Sequence, residues 1–101
     1  MRTLYQPKQE EINLSTIFYA LSDQIRLDIV KKLANTGEQS CGGLNIPGPN
    51  STISHHFKVL RESGLTNTRL EGNQRFISLR CDDLNTRFPG LLQAILTELD
   101  K

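Results

Sequence analysis

The chain has no tryptophan, one methionine and two cysteines. Cys41 and Cys81 sit far apart and form neither a CxxC pair nor a disulfide framework. No apolar run reaches the roughly 18 residues of a membrane span. The opening "MRTLYQPKQEE" lacks the apolar core of an export signal. These absences predict a cytoplasmic protein without a membrane partner. Histidine is as scarce: His55 and His56 are the two in the chain. Neighbours on a helix point about 100° apart, so this pair does not easily grip one ion. Metal-binding histidines on a helix are spaced by three or four. A zinc site would need Cys41, Cys81 or carboxylates to converge on one of them. Ser54 beside His55 has no Gly-rich elbow or oxyanion loop around it, which argues against a nucleophile. The expectation is no catalytic residue, no metal site and no cofactor.

A strong overall charge is also missing; the net value is +1. Its distribution is uneven. Residues 1–50 carry five basic and five acidic groups. Residues 51–80 carry Lys58, Arg61, Arg69, Arg75 and Arg80 against Glu62 and Glu71 alone. The last 21 residues carry Arg87 and Lys101 against four acids. Positive charge gathered in one segment is a footprint for an anionic partner, with a solvated face as the bland alternative.

What is present is a 101-residue chain, 37% hydrophobic and 23% charged, which fits one globular domain over 1–101. Leu14, Ile17, Phe18 and Leu21 follow the spacing of one helix face, and Pro7 suits a first turn, so a helix is expected over about 8–21. Ser22 or Asp23 caps a second helix, whose stripe is Ile25, Ile29, Val30, Leu33 and Ala34 and whose stop is Gly37. "EQSCGGLNIPGPN" leaves room only for a short helix near Ser40 to Asn45. Asn50 or Ser51 caps a fourth helix that stops at Gly64. "TNTRLEGNQRFISLR" reads as a hairpin, with Gly72-Asn73 as a type II′ turn and Leu70, Ile77 and Leu79 on one face. Asp82 or Asp83 caps a last helix with a stripe at Leu84, Phe88, Leu91, Leu92, Ile95 and Leu99, and Pro89 kinks or restarts it.

On the fourth helix, Ile53, Phe57 and Leu60 face one way. Ser51, Ser54, His55, Lys58 and Glu62 face the other, with Thr52 and Arg61 flanking. Small hydroxyls let a backbone approach a DNA groove, side chains such as His55 reach base edges, and Lys58 suits a phosphate. A short helix and a turn precede this helix, as in a helix-turn-helix. Arg75, near the hairpin tip with Asn73 and Gln74, is placed to reach the neighbouring backbone. His56 lies nearer the apolar stripe and is expected to pack on the domain.

"LSDQIRLDIVKKLANTGEQSCGGL", "STISHHFKVLRESGL" and "EGNQRFISL" together resemble the ArsR–SmtB family of bacterial winged-helix repressors, over residues 15 to 80. The resemblance implies a mainly α fold with a small β-hairpin, in the order α-α-α-α-β-β-α. It implies a homodimer on double-stranded operator DNA with an inverted repeat. The segments 1–21 and 83–101 would form the dimer seam, through Leu14, Ile17, Phe18, Leu92, Ile95 and Leu99. Residues 40–63 would be the helix-turn-helix and 66–80 the wing. The metal-sensing members carry a cysteine pair in the third helix; here that stretch reads "EQSCGGL", with Ser40 and Gly42 at those places and Cys41 between them. A second family site uses a histidine on the last helix, and "DDLNTRFPGLLQAILTELD" has none. The inducer is therefore not named by the sequence. The alternatives are a winged-helix module that binds protein, and a redox-regulated repressor that brings Cys41 and Cys81 together.

Overall fold

The computed structural model describes residues 4–101, so the first three residues of the expected dimerisation segment 1–21 lie outside the described residues. The expected first helix is shorter than its periodicity suggests. Pro7 and Lys8 lead into one 3-10 turn, Gln9–Glu11. The chain is then extended at Ile12 and Asn13, and helix α1 spans Leu14–Ala20. Two local effects interrupt the longer helix. Asn13 accepts a hydrogen bond from the Thr16 N–H and so caps α1 from an extended conformation. The extended backbone at Ile12 also turns that side chain into the core, where it is 1% exposed.

Helix α2, Gln24–Thr36, is capped by Asp23, whose carboxylate accepts from the N–H groups of Ile25 and Arg26. It ends at Gly37, where φ is 78°. Ile29, Val30 and Leu33 of its stripe are buried, whereas Ala34 is exposed. A two-residue strand that periodicity does not reveal, β1, follows at Gln39–Ser40. The expected third helix is reduced to a single 3-10 turn, Gly42–Leu44, which anchors by burying Leu44.

Helix α3 spans Asn50–Ser63. Pro49, not Asn50 or Ser51, holds the capping position, and no side chain caps the first turn. Strands β2, Thr66–Glu71, and β3, Gln74–Leu79, form the hairpin around Gly72, whose φ of 59° suits the expected turn. The antiparallel sheet has the order β1-β3-β2, with Thr68 opposite Ile77 and Leu70 opposite Arg75. Paired residues share a face, so Leu70 does lie with Ile77 and Leu79. It does not anchor the hairpin, however, because it is 50% exposed beyond the reach of the helices. Thr66, Thr68 and Ile77 are the buried base.

The last helix is divided into α4, Cys81–Arg87, and α5, Leu91–Leu99. The break falls at Phe88-Pro89-Gly90, so Pro89 marks a restart. Arg80 holds the capping position of α4, while Asp82 and Asp83 occupy its first turn, where negative charge favours the helix dipole.

The N-terminal segment is held through its backbone. The Arg61 Nε donates to the Tyr5 carbonyl at 3.1 Å, Arg80 donates to Pro7 at 2.6 Å, and Arg87 donates to Glu10 and Ile12. The Gln6 amide bonds both the N–H and the carbonyl of Thr68. This strap brings Ile12 onto Gly64, the C-cap of α3. Gly64 has φ 91°, and a Cβ there would stand 2.6 Å from the Ile12 Cγ1. Gly64→Ala combines left-handed strain with overpacking and is expected to cost about 2–4 kcal/mol. Urea unfolding measures it, as a lower midpoint at unchanged slope; a loss under about 0.5 kcal/mol would show that the strap yields freely.

Candidate nucleic-acid interface

The direction of α3 follows from what its reverse side touches. His56 and Leu60 are buried, and Ile53 and Phe57 are half-buried against the rest of the domain. Ser51, Thr52, Ser54, His55, Lys58 and Glu62 are all exposed on the other side. Among the described residues, none of the five expected contact residues Ser51, Thr52, Ser54, His55 and Lys58 forms a side-chain hydrogen bond or ion pair within the chain. Their donors and acceptors are open to an external partner.

His56 packs on the domain as its place near the stripe suggests. Its Nδ1 lies 3.2 Å from an Arg26 terminal nitrogen and 3.9 Å from the Asp23 carboxylate. Arginine only donates, so in the neutral ring the His56 Nδ1 is the acceptor of this contact. Arg26 is 5% exposed. It also donates to the carbonyls of Ala20 at 2.7 Å and Tyr19 at 3.2 Å, the end of α1. Three helices therefore meet on one guanidinium. Periodicity hides Arg26, because a charged residue on a stripe reads as an interruption. Its place one turn before Val30 and two before Leu33 is the signal that it points inward. Burial pushes the Asp23 carboxyl up, but the hydrogen bonds from the Arg26 and Ile25 N–H groups, with His56 and Arg26 nearby, hold it below its ordinary value.

The six arginines among the described residues separate into two groups. Arg26, Arg61, Arg69, Arg80 and Arg87 have partners within the chain. Arg69 binds both Glu38 and Glu71, at 2.9 and 2.7 Å, and lies over the Phe76 ring. Glu71 is therefore not held by Arg75. Arg75 is exposed, and among the described residues its side chain has no hydrogen-bond or ion-pair partner. It stands on the same face of the sheet as Ile77, toward α3.

Arg61 departs from the expected contact set. It is 8% exposed and points to the strap, so it does not share the open face with Lys58. The expected seam residues also divide. Ile17 and Leu92 are buried inside the single chain, Ile95 and Leu99 are half-buried, and Leu14 and Phe18 are exposed. Cys41 and Cys81 are both free. The Cys41 N–H bonds the carbonyl of Arg75 near the hairpin tip, whereas Cys81 follows the far end of β3. Six residues of extended chain separate those places by roughly 20 Å, so no disulfide joins them within one chain. Burial pushes the Cys41 thiol up, although Arg75 and Arg61 oppose the shift. Among the described residues, no three histidine, cysteine or carboxylate side chains converge as metal ligands, and no helix is long and apolar enough to cross a membrane.

No family model matches the chain. It is 44% identical over 82 residues to the uncharacterized HTH-type transcriptional regulator YceK of Bacillus subtilis (strain 168), covering 78% of this chain and 82% of the relative. HlyU from Vibrio cholerae N16961 is similar in structure, with a TM-score of 0.69 and 26% identity over 86% of this chain and 91% of that one. A crystal structure of an ArsR family transcriptional regulator shares the fold with a TM-score of 0.66 at 21% identity, covering 95% of this chain and 93% of that one.

The lowered Asp23 carboxyl makes a prediction about acid. Its contribution to stability is present above the ordinary value of 3.8 and is lost as pH falls through the lower folded value. Asparagine caps helices equally well but does not titrate. Between about pH 5 and pH 3 the parent is expected to lose stability relative to Asp23→Asn. Urea midpoints at three pH values measure this, and parallel curves would remove Asp23 from the acid response.

Proposed function

The chain belongs to the ArsR–SmtB type of winged-helix transcriptional regulators, which are DNA-binding proteins and not enzymes; on that premise we propose that it is a cytoplasmic, homodimeric repressor of an inverted-repeat operator. In this reading α3 enters the major groove. Ser51, Thr52, Ser54 and His55 meet base edges and sugar-phosphate, and Lys58 meets a phosphate. The hairpin acts as the wing, and Arg75 reaches the backbone or an A·T-rich minor groove beside it. The observation that carries the reading is the open face of α3 next to the one arginine, among the described residues, that has no internal partner. Arg61 is left out of the contact set because the strap holds it.

The dimer is proposed through the exposed apolar side of α1 and the apolar side of the last helix. Leu14 and Phe18 are 42% and 53% exposed, an unusual state for large apolar residues on one helix face. The half-buried Ile95 and Leu99 are the last helix's part in this proposal, while Ile17 and Leu92 are buried within the chain. A two-fold dimer would set its α3 helices in successive major grooves, about 34–36 Å apart. The signal that releases the DNA is not one of the two inherited metal sites, whose residues this chain lacks.

Binding to the DNA upstream of its own gene, titrated with salt, tests the assignment. Lys58→Ala is expected to weaken binding to all sequences. His55→Ala is expected to cost about 1–3 kcal/mol at one or two base pairs. Arg75→Ala is expected to leave folding stability within about 0.5 kcal/mol and to lower the salt slope by about one. Unchanged affinity and slope in Lys58→Ala and Arg75→Ala would leave a protein-binding module as the better reading. Phe18→Asp, which alters an exposed site, is expected to remain folded, sediment as a monomer and bind the operator poorly. A dimeric Phe18→Asp protein would place the seam elsewhere.

A further inference from the structure

Between the first half of α3, the Gly42–Leu44 turn and the hairpin runs a cleft of about 610 Å³, a size in the range of small-molecule sites. Ile46, Ile53, Phe57 and Ile77 give it an apolar wall. Arg61 and Arg75 also line it, and no carboxylate does. Arg61 is more than nine-tenths buried, yet among the described residues only its Nε has a partner, the Tyr5 carbonyl. Its two terminal nitrogens have no hydrogen-bond partner among the described residues and are not sealed from solvent, so they are open to an added acceptor. A guanidinium whose stem is buried and whose terminal donors are open suits an anionic acceptor.

Independent features agree on the sign of that occupant. Burial lowers the Arg61 pKa, Glu62 opposes the shift, and the like charge of Arg75 adds to it, so the two guanidiniums sense each other. The α3 first turn opens at Asn50 on the same cleft with no capping side chain, which adds the partial positive charge of a helix N-terminus. An anion would relieve these charges together, and the isoleucines and Phe57 would exclude water from its other end.

We propose that this cleft is an effector site for a small organic anion, with a carboxylate held between Arg61 and Arg75 and an aromatic or branched apolar body against Ile53 and Phe57. The regulatory half of the proposal rests on the DNA-binding reading above. Arg75 and Ser54 border both the cleft and the face proposed to meet DNA. A carboxylate that draws Arg75 inward neutralises a phosphate contact, so the anion releases the operator. The coupling is reciprocal, and operator DNA weakens anion binding by the same factor.

Phenylacetate is a suitable probe, with phenylacetamide as its neutral analogue and inorganic phosphate as an anion without an apolar body. The full chain, free of DNA, is titrated with each while backbone amide resonances are followed by NMR. Saturable phenylacetate shifts are expected at Ile46, Ile53, Phe57 and Arg75, with phenylacetamide and phosphate about tenfold weaker or worse. Arg75→Gln, at an exposed position, is expected to keep a native spectrum and lose about tenfold in phenylacetate affinity, and Arg75→Lys to recover part of it. No saturable response, shifts centred outside the cleft, or equal binding of phenylacetamide or phosphate overturns the site. Because DNA is absent from this titration, the two readings fail separately. Saturable probe binding by a protein that does not bind its upstream DNA supports the site and removes the operator reading. In operator-bound protein, phenylacetate is expected to weaken DNA affinity in the parent and not in Arg75→Gln; an equal effect on both overturns the proposed coupling.

Discussion

The orientation of the open face of α3 depends on Arg26. Its guanidinium joins the last carbonyls of α1 to the imidazole of His56 on α3, from a position on α2. α1 has seven residues, too few to be stable alone. Its Tyr19 carbonyl also accepts from the Ser22 N–H and hydroxyl, whereas its Ala20 carbonyl takes the Arg26 Nε. Arg26 thereby places positive charge at the negative end of the helix dipole. The same side chain meets His56 on the inward side of α3, where Leu60 is buried and Ile53 and Phe57 are half-buried, and together these contacts set the rotation of the helix. Four residues of open polar surface around His56, from Thr52 to Lys58, follow from that rotation.

Around this centre the chain uses arginine mainly for backbone carbonyls. Arg61, Arg80 and Arg87 come from α3, from the end of the sheet and from α4, and all three meet the N-terminal segment. The segment before α1 has little regular hydrogen bonding of its own, and each guanidinium satisfies carbonyls that would otherwise need water. The basic character of residues 51–80 is therefore only partly an electrostatic footprint. Arg61, Arg69 and Arg80 each have a partner within the chain, and Lys58 and Arg75 carry what remains on the outside.

The strong periodic segments were legible. α2, α3, the hairpin and its turn lie where Asp23, Gly37, Gly64 and Gly72 placed them, because capping and positive φ are local requirements. The winged-helix family was legible from three segments taken together. The failures have a common origin in contacts that are distant in sequence. β1 has two residues and exists because Gln39 and Ser40 meet Ile77 and Phe76. The first helix stops short because Ile12 is needed in the core over Gly64. Arg61 fell on the flank of α3 by helical geometry, and only the position of Tyr5, 56 residues away, decides that it turns inward. Ile17 and Leu92 showed as apolar, but spacing does not say whether such a residue faces its own chain or another.

Gln6 gives the sheet a property that no strand supplies. β2 is an edge strand, and its outer side would offer free N–H and carbonyl groups to any extended segment. The Gln6 side-chain amide occupies both groups of Thr68, in the middle of that edge. It acts as a one-residue imitation of a neighbouring strand. The other edge, β1, is two residues long and gives little purchase. An added strand would have to displace Gln6 at Thr68, so extension of the sheet by a second hairpin, the first step of fibril stacking, is opposed at that point.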